Sequence, residues 1–104
     1  NHTKFVQNYL EKLHQLQTQY TTEKTELALS IWKKYMEQLE GKPFTKLTTR
    51  ETLALEQDEY LGKSLQALDR AIYGRSTSVL EPLTHLQQVA EVRFSKLIEA
   101  LKHG

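Results

Sequence analysis

The chain has 104 residues, with 14 basic and 13 acidic side chains, 38% hydrophobic residues and no cysteine. That length suits one domain with one core, and the balance of apolar and charged residues fits a globular fold rather than a disordered one. The two signs of charge are interspersed, so neither the basic stripe of a nucleic-acid binder nor the basic polar face of a membrane-surface helix is present.

The lack of cysteine removes disulfides, thiolate metal sites and cysteine nucleophiles, and fits a reducing compartment. No apolar run approaches the roughly 18 residues of a membrane span, and no signal-peptide pattern is seen. Asn1 stands where an initiating Met would be, as expected of a piece excised from a longer protein.

The first segment reads as a helix over about residues 3–20, with Phe5, Val6, Tyr9, Leu10, Leu13, Leu16 and Tyr20 at three- and four-residue steps. Thr21-Thr22-Glu23 reads equally as a turn or as a mid-helix passage, since threonine is only a mediocre helix former. The helical pattern resumes at Glu23 and runs through Leu27, Ala28, Ile31, Trp32, Tyr35, Met36 and Leu39. Gly41, in the position of a left-handed cap, and Pro43 stop it.

Residues 42–47 form a loop. Thr48-Thr49-Arg50-Glu51 then matches a capping box and starts a short helix through Leu55. Gln57-Asp58-Glu59 opens another helix with acidic residues suited to its N-terminal dipole. Its apolar positions are Tyr60, Leu61, Leu65, Leu68, Ile72 and Tyr73, and Gly74 ends it. After a second loop at residues 75–78, Ser78 and Glu81 repeat the capping-box spacing and Pro82 is tolerated in a first turn. The last helix runs to about Lys102 on Leu83, Leu86, Val89, Ala90, Phe94, Leu97, Ile98 and Leu101.

Strict alternation of apolar and polar residues occurs nowhere over five positions, so no strand competes. The expected fold is all-α, a compact bundle of four to five helices. Tyr20, Trp32, Tyr35, Phe44, Tyr60, Tyr73 and Phe94 are expected to supply its bulky core, with the polar ends of tyrosine and tryptophan near the edge.

Chemistry-bearing residues are sparse. His2, His14, His85 and His103 include no pair at helical metal-ligand spacing. The serines lack a glycine-flanked nucleophile elbow, and no glycine cluster could cradle a phosphate. Asp58-Glu59 reads as helix-start chemistry and Asp69-Arg70 as an ion pair. No catalytic, metal or cofactor site is expected.

The middle of the chain is more specific. It reads Ile31-Trp32-x-x-Tyr35-x-x-x-Leu39-x-Gly41-x-Pro43, then Leu47-Thr48-Thr49-x-Glu51, then Leu65-x-x-Leu68-Asp69-Arg70-Ala71-Ile72-Tyr73-Gly74. This arrangement resembles the helical tails of BatD-like membrane proteins. These come from the Bat (Bacteroides aerotolerance) operons, which pair a MoxR-type AAA+ ATPase with von Willebrand A-domain proteins. Trp32, Tyr35, Leu47, Thr48, Glu51, Leu68, Asp69 and Tyr73 occupy the places of the family's motif, and the match covers about residues 27–74. The resemblance implies a non-enzymatic interaction module at the cytoplasmic face of a bacterial inner membrane. Its partner would be a MoxR-like ATPase or another Bat protein, and the membrane would be reached only through a segment outside this chain.

Two functions follow as expectations. A protein–protein interaction domain would need exposed anchors, for which Trp32, Tyr35 and Phe44 are the candidates if they are not fully buried. A small-ligand-binding or regulatory bundle would need a cavity, with Tyr20, Tyr60 and Tyr73 as its lining. Self-association through the first helix is a third possibility.

Overall fold

The computed structural model describes residues 2–56, 58–74 and 78–103. Among the described residues lie five helices, α1 (His2–Thr18), α2 (Thr22–Glu40), α3 (Thr49–Glu56), α4 (Glu59–Tyr73) and α5 (Leu80–His103), and a 3-10 turn at Phe44–Lys46. No strand occurs among the described residues, so the all-α bundle of four to five helices is what forms.

The boundaries follow local chemistry. The open choice at Thr21-Thr22-Glu23 resolves as a break. Gln19 and Tyr20 leave the helix, and Thr21 turns extended (φ −143°, ψ 146°) with its hydroxyl accepting from the Lys24 amide at 3.1 Å. That bond satisfies one of the four amides a helix start leaves unpaired. At the far end Gly41 takes φ 71°, and its amide donates to the Glu37 carbonyl. The capping box is complete: the Thr48 amide donates to Glu51 at 2.9 Å and the Glu51 amide to the Thr48 hydroxyl at 3.2 Å.

Asp58 caps α4, one carboxylate oxygen accepting from the amides of Tyr60 and Leu61. Gln57 and the centre of the second expected loop, residues 75–77, lie outside the described residues. Pro82 is buried in the first turn of α5.

The helices close around one core. α1 contributes Phe5, Tyr9, Leu13 and Leu16; α2 contributes Ala28, Leu29, Trp32, Tyr35 and Met36; α4 contributes Leu61, Leu65, Leu68 and Ala71; α5 contributes Leu83, Leu86 and Ala90. Phe44, in the 3-10 turn, is fully buried and meets Trp32 edge to face at 6.1 Å. Gly62 lets α3 approach α4 closely, because a Cβ there would stand 2.3 Å from the side chain of Leu53.

Polar tips inside the core are satisfied. The Tyr9 hydroxyl donates to the Leu83 carbonyl at 2.5 Å and the Trp32 indole N–H to the Leu86 carbonyl at 2.7 Å. Among the described residues no buried side-chain nitrogen or oxygen lacks a partner, as expected where an unpaired buried group would cost about 1–3 kcal/mol.

The aromatic expectation needs correction. Trp32, Tyr35 and Phe44 are core, but so are Phe5 and Tyr9. Tyr20 and Phe94 are only partly buried, and Tyr60 and Tyr73 are exposed. Leu61, Leu65, Leu68 and Ile72 set the inward face of α4. At 100° per residue, Tyr60 and Tyr73 each lie roughly 110° off the centre of that face, on opposite sides of it.

Candidate interaction surface

The bonds between helices fix how α5 lies against its neighbours. Tyr9 meets Leu83 while His2 meets Glu91, so α1 runs antiparallel to α5. Trp32 meets Leu86 while Glu40 meets Arg93, so α2 runs parallel to it.

α5 has 24 residues, against 17 in α1 and 19 in α2. At 1.5 Å per residue it outruns both partners by several ångströms. The described part of α1 begins at the level of Glu91 and Phe94, and α2 stops at Gly41 beside Arg93. Among the described residues, the last turns of α5 therefore overhang α1 and α2.

The overhang is apolar on the side that faces the core lower down. Leu83, Leu86, Ala90, Phe94, Leu97 and Leu101 fall within an arc of about 80°. Leu83, Leu86 and Ala90 are sealed, yet Leu97 is 40% and Leu101 69% exposed. One stripe is thus core for half its length and uncovered for the rest. A run of exposed aliphatic side chains continuing a core stripe has the composition of a contact surface.

The base of the overhang is pinned on two sides. On one, the His2 ring stacks on Phe94 at 3.9 Å, and its two nitrogens reach the Tyr35 hydroxyl at 2.5 Å and the Glu91 carboxylate at 3.1 Å. Burial, and then the Glu91 charge, push the Tyr35 phenol up to about 12, so Tyr35 stays a neutral structural group and not an activated one.

On the other side, Arg93 hydrogen-bonds Glu56, lies 3.3 Å from Glu40 and 3.7 Å from Asp58, while Lys42 reaches Glu56 at 2.7 Å. Burial would raise the Glu56 carboxyl, but the hydrogen bonds and charges of Lys42 and Arg93 outweigh it and hold it below the usual value. This network joins the ends of α2 and α3 and the cap of α4 to α5.

Other concavities carry less. One, of about 510 Å³, opens to solvent between α2, the segment before α3 and the end of α4, with Lys33, Lys34, Asp69 and Tyr73 on its walls. Lys33 already donates to the Leu47 carbonyl there. A depression of about 370 Å³ between α4 and α5 is lined by Tyr60, Lys63 and His85 among others. Among the described residues no three His, Asp or Glu side chains are placed to hold a metal ion, and no described helix is long and apolar enough to cross a membrane.

The structure redistributes the expected site residues. Trp32 and Phe44 are fully buried and Tyr35 is 8% exposed, so the condition on which they were interaction anchors fails: they hold the core. Tyr20, Tyr60 and Tyr73 share neither of these concavities. The Tyr20 hydroxyl donates to the Ala71 carbonyl, Tyr60 faces the α4–α5 depression, and Tyr73 stands 86% exposed at the rim of the 510 Å³ one. Leu97 and Leu101 read as core positions from periodicity alone. The unequal lengths of α1, α2 and α5 were the signal that they project beyond it.

No family model, no curated protein and no solved structure matches this chain.

Proposed function

We propose that this chain is a non-enzymatic protein–protein interaction domain. The observation that carries the reading is the α5 stripe, sealed at Leu83, Leu86 and Ala90 and uncovered at Leu97 and Leu101. Glu51 and Asp58 are engaged as helix caps, and Glu40, Lys42, Glu56 and Arg93, which line a concavity of about 460 Å³, are paired with one another there rather than gathered around a free reacting atom. This favours contact over catalysis, because acid–base or nucleophilic work needs groups gathered around one reacting atom. The resemblance of residues 27–74 to BatD-like tails extends the proposal to a cytosolic module beneath a membrane anchor, recognising a MoxR-type ATPase or a sister Bat protein.

The test is affinity capture with the chain as bait, against a MoxR-type ATPase and Bat proteins expressed together with it. A Leu101→Glu bait of unchanged helix content serves as control. Retention by the wild type that the variant loses supports the reading. Equal retention by both baits, or none by either, overturns it.

A further inference from the structure

We propose that the cleft of about 510 Å³ between α2 and α4 binds a zwitterion of dipeptide size, its carboxylate at Lys33 and Lys34 and its ammonium at Glu26 and Asp69. This binding goes beyond the interaction reading and does not depend on it.

The cleft is lined by both signs of charge, Lys33 and Lys34 against Glu26 and Asp69. In the concavity beside α5 the charges are paired, Lys42 and Arg93 with Glu56. Here they are not. Among the described residues Glu26, Lys34 and Asp69 make no ion pair and no side-chain hydrogen bond. Lys33 donates to the Leu47 carbonyl at 3.4 Å, which leaves two of the three donors of its ammonium group. Opposite charges that face one cavity without meeting are matched by a molecule carrying one of each. A simple anion would bring its charge beside two carboxylates, and a diamine would bring its own beside two lysines; either juxtaposition of like charges is unfavourable.

The helices set the separation. Glu26 and Lys33 are seven residues apart on one face of α2, roughly 10 Å along its axis. Lysine stems on a helix lean back towards its N-terminus, which shortens the gap between the charged groups towards the roughly 7 Å spanned by two extended residues. α4 runs antiparallel to α2, since Tyr20 meets Ala71 at one end while Glu40 and Asp58 both meet Arg93 at the other. Asp69 therefore lies across from the first half of α2 and joins Glu26 in one acidic end. Leu29 and Ile72 add apolar wall between the charges, with the Ser30 and Thr49 hydroxyls beside it for a peptide group. Tyr73, 86% exposed at the rim, offers a ring face to the bound molecule.

Two solvent-facing ionic contacts give weak binding, with dissociation on the order of 1 mM, so dialanine titrated to about 10 mM into the isotope-labelled full chain spans the transition. Heteronuclear correlation spectra should show saturable shifts at the amides of residues 26–34 and 69–73. Blocking either end of the dipeptide, by acetylation or amidation, should weaken binding about two- to fivefold. Free alanine, too short to reach both ends, should bind more weakly than dialanine. Asp69→Asn should weaken dialanine and leave acetyl-dialanine unaffected, and Lys34→Met should weaken dialanine and leave dialanine amide unaffected.

No saturable shift, equal binding of the blocked peptides or of free alanine, or inorganic phosphate or putrescine moving the same amides as strongly as dialanine overturns the proposal. Capture of a MoxR-type ATPase depends on Leu101 and not on this cleft, so the two readings fail separately.

Discussion

The Trp32 indole donates to the Leu86 carbonyl at 2.7 Å, and both side chains are fully buried, so one hydrogen bond docks α2 onto α5 inside the core. Replacing Trp32 with Phe removes the donor, worth about 1 kcal/mol net, and leaves a cavity where the larger ring stood. A total loss of about 2–3 kcal/mol is expected. Far-UV circular dichroism in urea measures it, since Trp32 is the only tryptophan and cannot report on its own replacement. An unchanged midpoint would show that this contact does not hold α5.

Arg93→Met strips Glu56 of one of its two cations, while Lys42 remains at 2.7 Å. With the Glu56 side chain only 5% exposed, a loss of about 2 kcal/mol is expected, less than for a carboxylate left wholly unpaired. The pH dependence has a defined sign. The folded-state Glu56 carboxyl lies below its ordinary value of 4.5, so its contribution is complete above that value and declines as pH falls through the folded-state value. Stability measured from pH 7 down to pH 2 should fall less steeply in Arg93→Met than in the wild type. Parallel curves would refute the coupling.

Alkaline unfolding should follow Tyr35. Its phenol is raised from 10.0 to about 12, first by burial and then by the Glu91 charge; burial also raises Tyr9. The folded state therefore holds these protons more tightly than the unfolded chain. Their contribution is complete below pH 10 and is lost as pH rises towards 12 and beyond. In Tyr35→Phe, thermal midpoints taken between pH 9 and pH 12 should decline less with pH than in the wild type. Absorbance titration at 295 nm should show one fewer late-ionising phenol.

Leu86 and Leu101 lie on one stripe and should behave in opposite ways. Leu86→Ala empties a sealed position and should cost about 2–5 kcal/mol. Leu101→Glu, at a site 69% exposed, should change the stability of the dilute monomer by no more than about 0.5 kcal/mol. Chemical denaturation at low micromolar concentration compares the two. A large loss at Leu101 would mean that the overhang is packed within the monomer.

Gly41 offers a local check. Its φ of 71° is a conformation that costs a side-chain-bearing residue about 1–2 kcal/mol, and no atom lies near enough to compensate an added methyl. Gly41→Ala should lose about 1 kcal/mol in the same assay. An unchanged midpoint would mean that another residue ends α2.

Much of the fold was legible in the residues. The Thr48–Glu51 capping box, the Gly41 stop and the three- and four-residue steps of α4 and α5 are local signals, and local bonds realise them. Thr21 was ambiguous because a threonine caps a helix or sits within one according to its backbone angles, which its neighbours do not dictate. Tyr60 and Tyr73 were misplaced because an aromatic ring beside an apolar stripe has the same composition as one within it; the turn of the helix, not residue type, decides exposure.

The site was harder to read. Trp32, Tyr35 and Phe44 are the residues a surface anchor would use, and the tertiary structure spends them inside. Leu97 and Leu101 are anonymous aliphatics whose exposure depends on where two other helices stop.

The Tyr9 hydroxyl and the Leu83 carbonyl that accepts its bond sit at opposite ends of the sequence. A nascent chain leaving the ribosome presents Phe5, Tyr9, Leu13 and Leu16 long before α5 has been made. The hairpin of α1 and α2 can form early from neighbouring segments, but one side of it stays bare until α5 has been made. Newly made copies on one messenger therefore meet with sticky hairpins exposed, and slow synthesis across residues 58–80 should favour aggregation over folding.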